Sequence, residues 1–229
     1  MNYNPDWKIN LWHPISPAVP TWDTGELKYD ILCDDYLPEL LNLPINKKVI
    51  DVGIVNEMSD VHISDALRLW LLSTIGGLWS DMDILYFKPI NDLKVNSLEN
   101  RDKDTFVCIS EHGHSIGFLM ATENNNKFAR LLKSAELRYK KRDYQCIGST
   151  MYNEIYPTIL SMDAVYPHDA NHVSEILNGS KPRFTDGTIG IHWYAGWPAW
   201  SEFFKATNGG LTNLPNSIIG DLLKNKVYA

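Results

Sequence analysis

The chain has 229 residues, 44% of them hydrophobic, and a formal net charge of −7 at pH 7. A chain of this size and composition can bury a full hydrophobic core, and we expect one compact domain over residues 1–229. The negative charge argues against a nucleic-acid partner, because contacts to a phosphate backbone require a basic surface.

The cysteines and the N-terminal sequence bear on the cellular compartment. Cys33, Cys108 and Cys146 are odd in number and far apart in apolar surroundings, as is typical of reduced thiols in a cytosolic protein. Residues 1–10 are polar and lack the apolar region of a signal peptide, and no apolar stretch is long enough for a membrane span. We therefore expect a soluble, cytoplasmic protein.

Helical and extended patterns alternate along the first 90 residues. The patterns predict strands over 8–12 and 48–52, helices over 29–41 and 59–75, and a strand through residues 81–83. This β-α-β-α-β order favours a mostly parallel sheet flanked by helices, with ligands at the carboxyl ends of the strands.

The remaining chain also divides into predicted elements. Strands are predicted over 105–109 and 116–120, and helices over 127–140, 145–160, 171–177 and 211–226.

The helix predicted over 59–75 carries a pair of opposite charges. Ser59 can cap its start, and Gly76-Gly77 supplies the left-handed conformation that commonly ends a helix. Asp65 and Arg68 are three residues apart and so share a face of the helix. Arg68 is placed to contact phosphate, and Asp65 to accept hydrogen bonds from sugar hydroxyls.

Directly after this helix comes the sequence Asp81-Met82-Asp83. Alternation along a strand puts both carboxylates on one side, with Met82 and Ile84 on the other. Two neighbouring carboxylates repel each other unless a cation joins them, and Mg²⁺ or Mn²⁺ prefers such oxygen ligands and also accepts phosphate oxygens. By itself, however, an Asp-x-Asp pair is common in turns, and an Asp–Arg pair three residues apart is typical of a surface ion pair.

The combined pattern resembles a known group of enzymes. Residues 64–68 read S-D-A-L-R and residues 76–83 read G-G-L-W-S-D-M-D. They resemble the S-D-x-x-R and G-G-x-Y-x-D-x-D motifs of the DXD glycosyltransferases of family 32 type, which include capsular-polysaccharide sugar transferases, initiating mannosyltransferases and clostridial glucosylating toxins. Trp79 stands where tyrosine is usual in these motifs.

The resemblance implies a fold and an activity. The fold would be of GT-A type, with a nucleotide-sugar half over about 1–90 and an acceptor half over about 91–229. The activity would be metal-dependent, retaining transfer of a sugar from a nucleoside-diphosphate sugar, preferably a UDP-sugar, to a hydroxyl of a glycan acceptor. The short length suggests a minimal catalytic core or one domain of a longer polypeptide.

The same resemblance implies roles for individual residues. Residues 190–197 resemble the closing H-x-x-x-x-W segment of these enzymes, which makes His192 a metal ligand beside the Asp pair; the alternative is a buried histidine in an aromatic cluster. Imidazole favours Mn²⁺ over Mg²⁺. Trp12 is expected to stack on the nucleotide base. The expected catalytic residues are Asp81, Asp83 and Arg68, the donor-binding residues are Asp65, Arg68, Asp81, Trp12 and Gly77, and the metal ligands are Asp81, Asp83 and His192.

Two other classes of protein remain open. A phosphatase of the haloacid-dehalogenase type also uses Asp-x-Asp, but it requires a threonine two residues beyond the second aspartate, where this chain has Leu85. A non-catalytic sugar-binding module would use the aromatic residues Trp193, Trp197 and Trp200, but would have little use for Arg68 beside an acidic pair.

Overall fold

The computed structural model describes residues 4–14, 37–50, 58–93, 104–110, 113–140, 143, 146–155, 157–178, 181–195, 197, 200 and 217–223. The strands are β1 Asn10–Pro14, β2 Asn46–Ile50, β3 Gly77–Ser80, β4 Ile84–Tyr86, β5 Thr105–Ser110, β6 Gly113–Ala121, β7 Thr158–Leu160 and β8 Gly190–His192. The α-helices are α1 Leu37–Asn42, α2 Asp60–Thr74, α3 Asn126–Arg138, α4 Val173–Leu177 and α5 Ile218–Leu223. Single 3₁₀ turns or short 3₁₀ helices lie at Ile90–Asp92, Ser149–Glu154, Met162–Ala164 and Ala170–His172.

The strands form mixed rather than mostly parallel sheets. Four of them pair in the order β3-β6-β5-β7, in which β6 runs antiparallel to both β3 and β5 while β5 and β7 are parallel. The prediction of a mostly parallel sheet is therefore wrong for this sheet. The reason is the short connection between β5, which ends at Ser110, and β6, which begins at Gly113, since so short a link permits only an antiparallel pair.

The order predicted for the first 90 residues is confirmed in the described part. β1 and β2 pair in parallel, and the other strand pair, β4 with β8, is antiparallel. β1 lies two residues later than the predicted strand 8–12, and β2 begins two residues before the predicted strand 48–52. Residues 51 and 52 of that predicted strand lie outside the described residues. Residues 29–36 of the first predicted helix lie outside the described residues, and α1 is its C-terminal end.

The long helix α2 begins and ends where the sequence predicts. Ser59 caps it by accepting a hydrogen bond from the backbone N–H of His62, and Gly76 and Gly77 follow it with φ of 69° and 94°. A Cβ on Gly76 would lie 2.5 Å from the backbone nitrogen of Glu123, so close packing as well as φ requires glycine there. No helix in the described part of the chain has the length and apolar character to cross a membrane.

Among the later elements one prediction is wrong. The predicted helix 145–160 is a 3₁₀ helix, Ser149–Glu154, followed by strand β7. Pro157 stands between them, and β7 gains its hydrogen bonds from β5, a partner about fifty residues away that the local pattern does not contain. Both predicted strands, the helix α3 and the short helix near 171–177 are confirmed. Of the predicted terminal helix, α5 lies within the described residues.

The buried hydrophobic side chains of the described residues form three clusters. The first lies between the four-stranded sheet and helices α2 and α3, and includes Leu69, Leu72, Leu119, Phe128 and Leu131. The second includes Phe118, Leu160, Val165, Tyr166 and Ile189, and the third joins α4 and α5 to Ile191 and Trp200. Neighbouring residues on β6 enter different clusters, as strand alternation requires.

Candidate functional site

The two aspartates lie in a turn between strands. β3 ends at Ser80 and β4 begins at Ile84, so the prediction that a strand carries Asp81 and Asp83 is wrong. The physical reason is that β3 pairs with β6 whereas β4 pairs with β8, and the chain changes sheets within three residues. Met82 at the middle of the turn is 76% exposed, and Ile84, predicted to share its side, is buried.

Both carboxylates nevertheless converge, and they meet an imidazole. Asp81, Asp83 and His192 each offer one ligand atom, and these atoms lie within 4.8 Å of one another. His192 ends β8 and pairs directly with Ile84, which places it beside the turn. Two carboxylates and one imidazole at such separations form a donor set that suits Mn²⁺, and also Mg²⁺.

Asp83 is held from the β8 side. Its Oδ1 lies 3.0 Å from His192 Nε2, and its Oδ2 accepts a hydrogen bond of 3.0 Å from the backbone N–H of Ala195. Burial by itself would raise the pKa of Asp83, but the hydrogen bonds from His192 and Ala195 outweigh it and lower this pKa below its usual value. The Asp83 carboxylate is therefore ionised at neutral pH.

Asp81 is held from the α2 side. Arg68 donates from Nη1 to Asp65 Oδ1 at 2.7 Å and from Nη2 to Asp81 Oδ1 at 3.5 Å. Trp79 donates from Nε1 to the same Asp81 oxygen at 2.8 Å. Asp65 and Arg68 are 3% and 4% exposed, so their pair is buried and the alternative of a surface ion pair is wrong.

The buried pair remains charged. Burial raises the pKa of Asp65 to about 6, against the attraction of Arg68. For Arg68, burial by itself would lower the pKa, but the carboxylates of Asp65 and Asp81 outweigh it and raise this pKa above its usual value. Asp65 and Asp81 contact this one guanidinium, and Asp83 lies beside Asp81, so the excess of negative charge favours a cation at the site.

The position of Arg68 bears on its expected contact with phosphate. Its guanidinium carbon lies 4.9 Å from the centroid of the Trp79 ring, and its Nε is buried without a hydrogen-bond partner among the described residues. The guanidinium therefore packs against the Trp79 ring and contacts Asp81. Direct contact of Arg68 with phosphate stays a prediction, and it requires these side chains to move.

Two further predicted donor-site residues have defined surroundings. Trp12 is half-buried and packs edge-on against Trp70 of α2, with ring centroids 6.1 Å apart. Base stacking by Trp12 stays a prediction. Gly77 has a left-handed φ, and a Cβ added to it would meet no atom within 4 Å. The backbone conformation, rather than lack of space, therefore favours glycine at position 77.

Sequence reasoning missed Gly117 of β6. Its carbonyl accepts the backbone N–H of Asp81 at 2.8 Å. A Cβ added to Gly117 would lie 2.6 Å from Asp81 Oδ2 and 2.8 Å from the hydroxyl oxygen of Tyr166. The Asp81 carboxylate thus occupies space that any other residue at 117 would fill. A glycine inside a predicted strand is a signal of such close approach and could have identified it.

The aromatic cluster proposed as the alternative surroundings of His192 is present, although sequence reasoning singled out neither Tyr166 nor Tyr194 as part of it. The rings of Tyr194 and Tyr166 lie 4.2 and 5.1 Å from the His192 ring. Tyr194 has φ of 52°, a left-handed conformation that is uncommon outside glycine, and it precedes the Ala195 N–H that binds Asp83. The metal-ligand and aromatic-cluster interpretations of His192 are therefore compatible in the described structure.

A comparison with protein families gives one match. The model of the family described as capsular polysaccharide synthesis protein matches residues 28–161, which is more than half of the chain. The matched region contains Asp65, Arg68, Asp81 and Asp83 and ends before His192. A search of curated proteins finds no match. The chain belongs to the capsular polysaccharide synthesis protein family.

Proposed function

We propose that this protein is a metal-dependent, retaining glycosyltransferase of GT-A type that acts in glycan biosynthesis. It moves a sugar from a nucleoside-diphosphate sugar, preferably a UDP-sugar, to a hydroxyl of a glycan acceptor. Membership of the capsular polysaccharide synthesis family supports the biosynthetic role. The observation that carries the proposal is the convergence of Asp81, Asp83 and His192 in front of the buried cation Arg68.

The three converging side chains would hold Mn²⁺ or Mg²⁺. When bound, the ion supplies Lewis-acid stabilisation of the charge that develops on the leaving diphosphate. His192 differs from the two aspartates, because its Nδ1 is buried and has no hydrogen-bond partner among the described residues. A ligating imidazole usually donates this second N–H to an acceptor. We therefore propose that His192 contributes less to metal affinity than either aspartate.

The chain's own charges and rings would prepare the site for catalysis. Arg68 keeps a positive charge in a buried position, where it acts on developing negative charge more strongly than it would in water. The rings of Tyr166 and Tyr194 cover His192 and exclude water from one side of the site.

Several individual roles belong to the same proposal. Asp65 would accept hydrogen bonds from donor hydroxyls, Trp12 would stack on the nucleotide base, and Gly77 would shape the backbone beside the donor. Because Asp65 is 3% exposed, its contact with a sugar requires an opening of the site when the donor binds.

The proposal is tested by calorimetric titration with UDP, GDP and their sugars in the presence of Mn²⁺. We expect a UDP-sugar to bind and to be turned over when a glycan acceptor is added. Asp81→Asn and Asp83→Asn should each weaken Mn²⁺ binding by at least about a hundredfold, and His192→Ala by about tenfold. The exposed Asp92→Asn is the matched control and should behave as the wild type.

The outcomes separate the three classes of function. Glycan binding without nucleotide binding would favour a sugar-binding module, and release of inorganic phosphate from a phosphate ester would favour a phosphatase. Full metal-dependent turnover in both aspartate variants would contradict the proposed site. An unchanged metal titration in His192→Ala would assign His192 to the aromatic cluster alone.

A further inference from the structure

Trp79 lies on the same face of the chain as Asp81. It is the third residue of β3, two residues before Asp81, and the hydrogen bond between their side chains shows that both lie on one side of the chain. The Trp79 ring packs on the first core cluster, with α2 and α3, while Leu78 packs on the second. The indole is thus held between the core and the candidate metal site.

Trp79 makes the shorter of two hydrogen bonds to one oxygen of Asp81. The indole Nε1–H donates to Oδ1 at 2.8 Å, whereas Arg68 Nη2 reaches the same oxygen at 3.5 Å. The face of the same indole lies over the Arg68 guanidinium. One side chain therefore fixes the Asp81 carboxylate and covers the cation that neutralises it.

The second oxygen of Asp81 is free of these donors. Asp81 Oδ2 lies in the space left by the missing side chain of Gly117. The backbone N–H of Asp81 is fixed by the Gly117 carbonyl, so rotation of the side chain is the remaining freedom of this residue. A donor on Oδ1 restricts that rotation and so fixes the position of the Asp81 carboxylate relative to Asp83 and His192.

We infer that Trp79 is a positioning residue, which orients Asp81 as a metal ligand through its indole N–H. The inference rests on the proposed function, since it requires that Asp81 bind a metal ion. Groups that hydrogen-bond a metal ligand commonly change metal affinity by 10- to 100-fold when they are removed. Trp79 is thus a determinant of metal affinity as well as a core residue.

The test measures binding of Mn²⁺ alone to the full chain by calorimetry, with folding checked by circular dichroism and thermal unfolding. Trp79→Phe removes the N–H donor and should weaken Mn²⁺ binding by about tenfold. Replacement of Trp79 by 3-benzothienylalanine, in which sulfur takes the place of the indole N–H, keeps the ring over Arg68 and should cause a similar loss. Trp70→Phe, on the exposed side of α2, is the matched control and should leave the affinity unchanged.

Each outcome decides the inference. Wild-type Mn²⁺ affinity in the benzothienylalanine protein would overturn it, whether or not Trp79→Phe folds. Loss of affinity in Trp79→Phe with wild-type affinity in the benzothienylalanine protein would assign the effect to ring packing over Arg68 and would also overturn it. If the wild-type protein bound no Mn²⁺, the proposed metal site itself would be wrong, which is a different result from wild-type affinity in the variants.

Discussion

The two aspartates of the candidate site are held by different kinds of interaction. Asp81 is held by side chains from nearby sequence, namely the buried cation Arg68 and the indole of Trp79. Asp83 is held by residues more than a hundred positions away, His192 and the backbone N–H of Ala195. The Asp81 side therefore depends on buried charge, and the Asp83 side depends on the path of a distant loop.

This difference has an energetic consequence. A buried ion pair leaves an uncompensated charge when one partner is removed, and that charge is costly in a low-dielectric interior. A backbone N–H remains in place when side chains are replaced, so the Asp83 side should tolerate substitution better. Single substitutions should therefore destabilise the protein strongly on the Asp81 side and weakly on the Asp83 side.

The largest expected effect is a loss of stability on the Asp81 side. Arg68→Met leaves Asp65 without its buried partner and should lower the free energy of unfolding by about 3–5 kcal/mol. Urea denaturation in the presence of a chelator measures this change. Arg138→Met, which breaks the half-exposed pair with Glu154, is the matched control and should cost less than about 1 kcal/mol.

A second charge removal sharpens this result. Combining Arg68→Met with Asp65→Leu removes the uncompensated carboxylate and should recover part of the lost stability. If Arg68→Met cost no more than Arg138→Met, the Asp81 side would not depend on buried charge and the contrast between the two sides would be wrong.

The next largest effect is expected from a substitution that fills the space beside Asp81 and changes no charge. Gly117→Ala places a Cβ 2.6 Å from Asp81 Oδ2, and a residue must shift to accommodate it. Overpacking of this kind costs about 1–3 kcal/mol, and the displaced carboxylate should weaken Mn²⁺ binding by about tenfold. Thermal unfolding and calorimetric Mn²⁺ titration measure the two changes.

A second glycine provides the control. At Gly187 an added Cβ would have its nearest neighbour, Thr185 Oγ1, at 3.8 Å, so Gly187→Ala should change neither quantity. Normal Mn²⁺ affinity in a folded Gly117→Ala protein would show that Asp81 does not need its observed position.

The Asp81 side was also more predictable from the sequence than the Asp83 side. Helical spacing alone places Asp65 and Arg68 on one face, and a double glycine marks the end of that helix, so the pair and its neighbour Asp81 follow from some twenty residues. The turn at 81–83 was not predictable in this way. Whether a short apolar run continues as one strand or divides between two sheets depends on β6 and β8, which lie far along the chain.

The sheet and the β8 side show the same limit. The helix predicted over 145–160 fails because β7 is stabilised by pairing with β5, which overrides local helical spacing. The hydrogen bond from Ala195 to Asp83 comes from a main-chain group, which every residue type except proline carries, and so no residue pattern reports it. His192 could be proposed from a motif, but its contact with Asp83 required the fold.

The smallest expected effect separates the two sides by their response to acid. On the Asp83 side, the Tyr194 hydroxyl donates to the carbonyl of His168, and the His168 imidazole is buried against Glu175 and the backbone N–H of Arg183. Burial lowers the pKa of His168 below 6.5, although the neighbouring Glu175 opposes this. The folded state therefore favours neutral His168, and the stability it contributes is present above pH 6.5 and is lost as the pH falls through the lowered pKa.

On the Asp81 side the sign is opposite. Because the pKa of Asp65 is raised from 3.8 to about 6, the folded state binds this proton more tightly, and stability on that account increases as the pH falls from about 6 toward 3.8. We expect His168→Gln to remove the loss of stability at acid pH, and Asp65→Asn to remove the gain of stability at acid pH. Urea denaturation between pH 7 and pH 5 measures both changes. Equal pH slopes in the wild type and both variants would contradict the assignment of opposite acid responses to the two sides. If only His168→Gln changed the pH dependence of stability, the acid response of the Asp83 side would stand. Asp65 would then not be the acid-sensitive group of the Asp81 side.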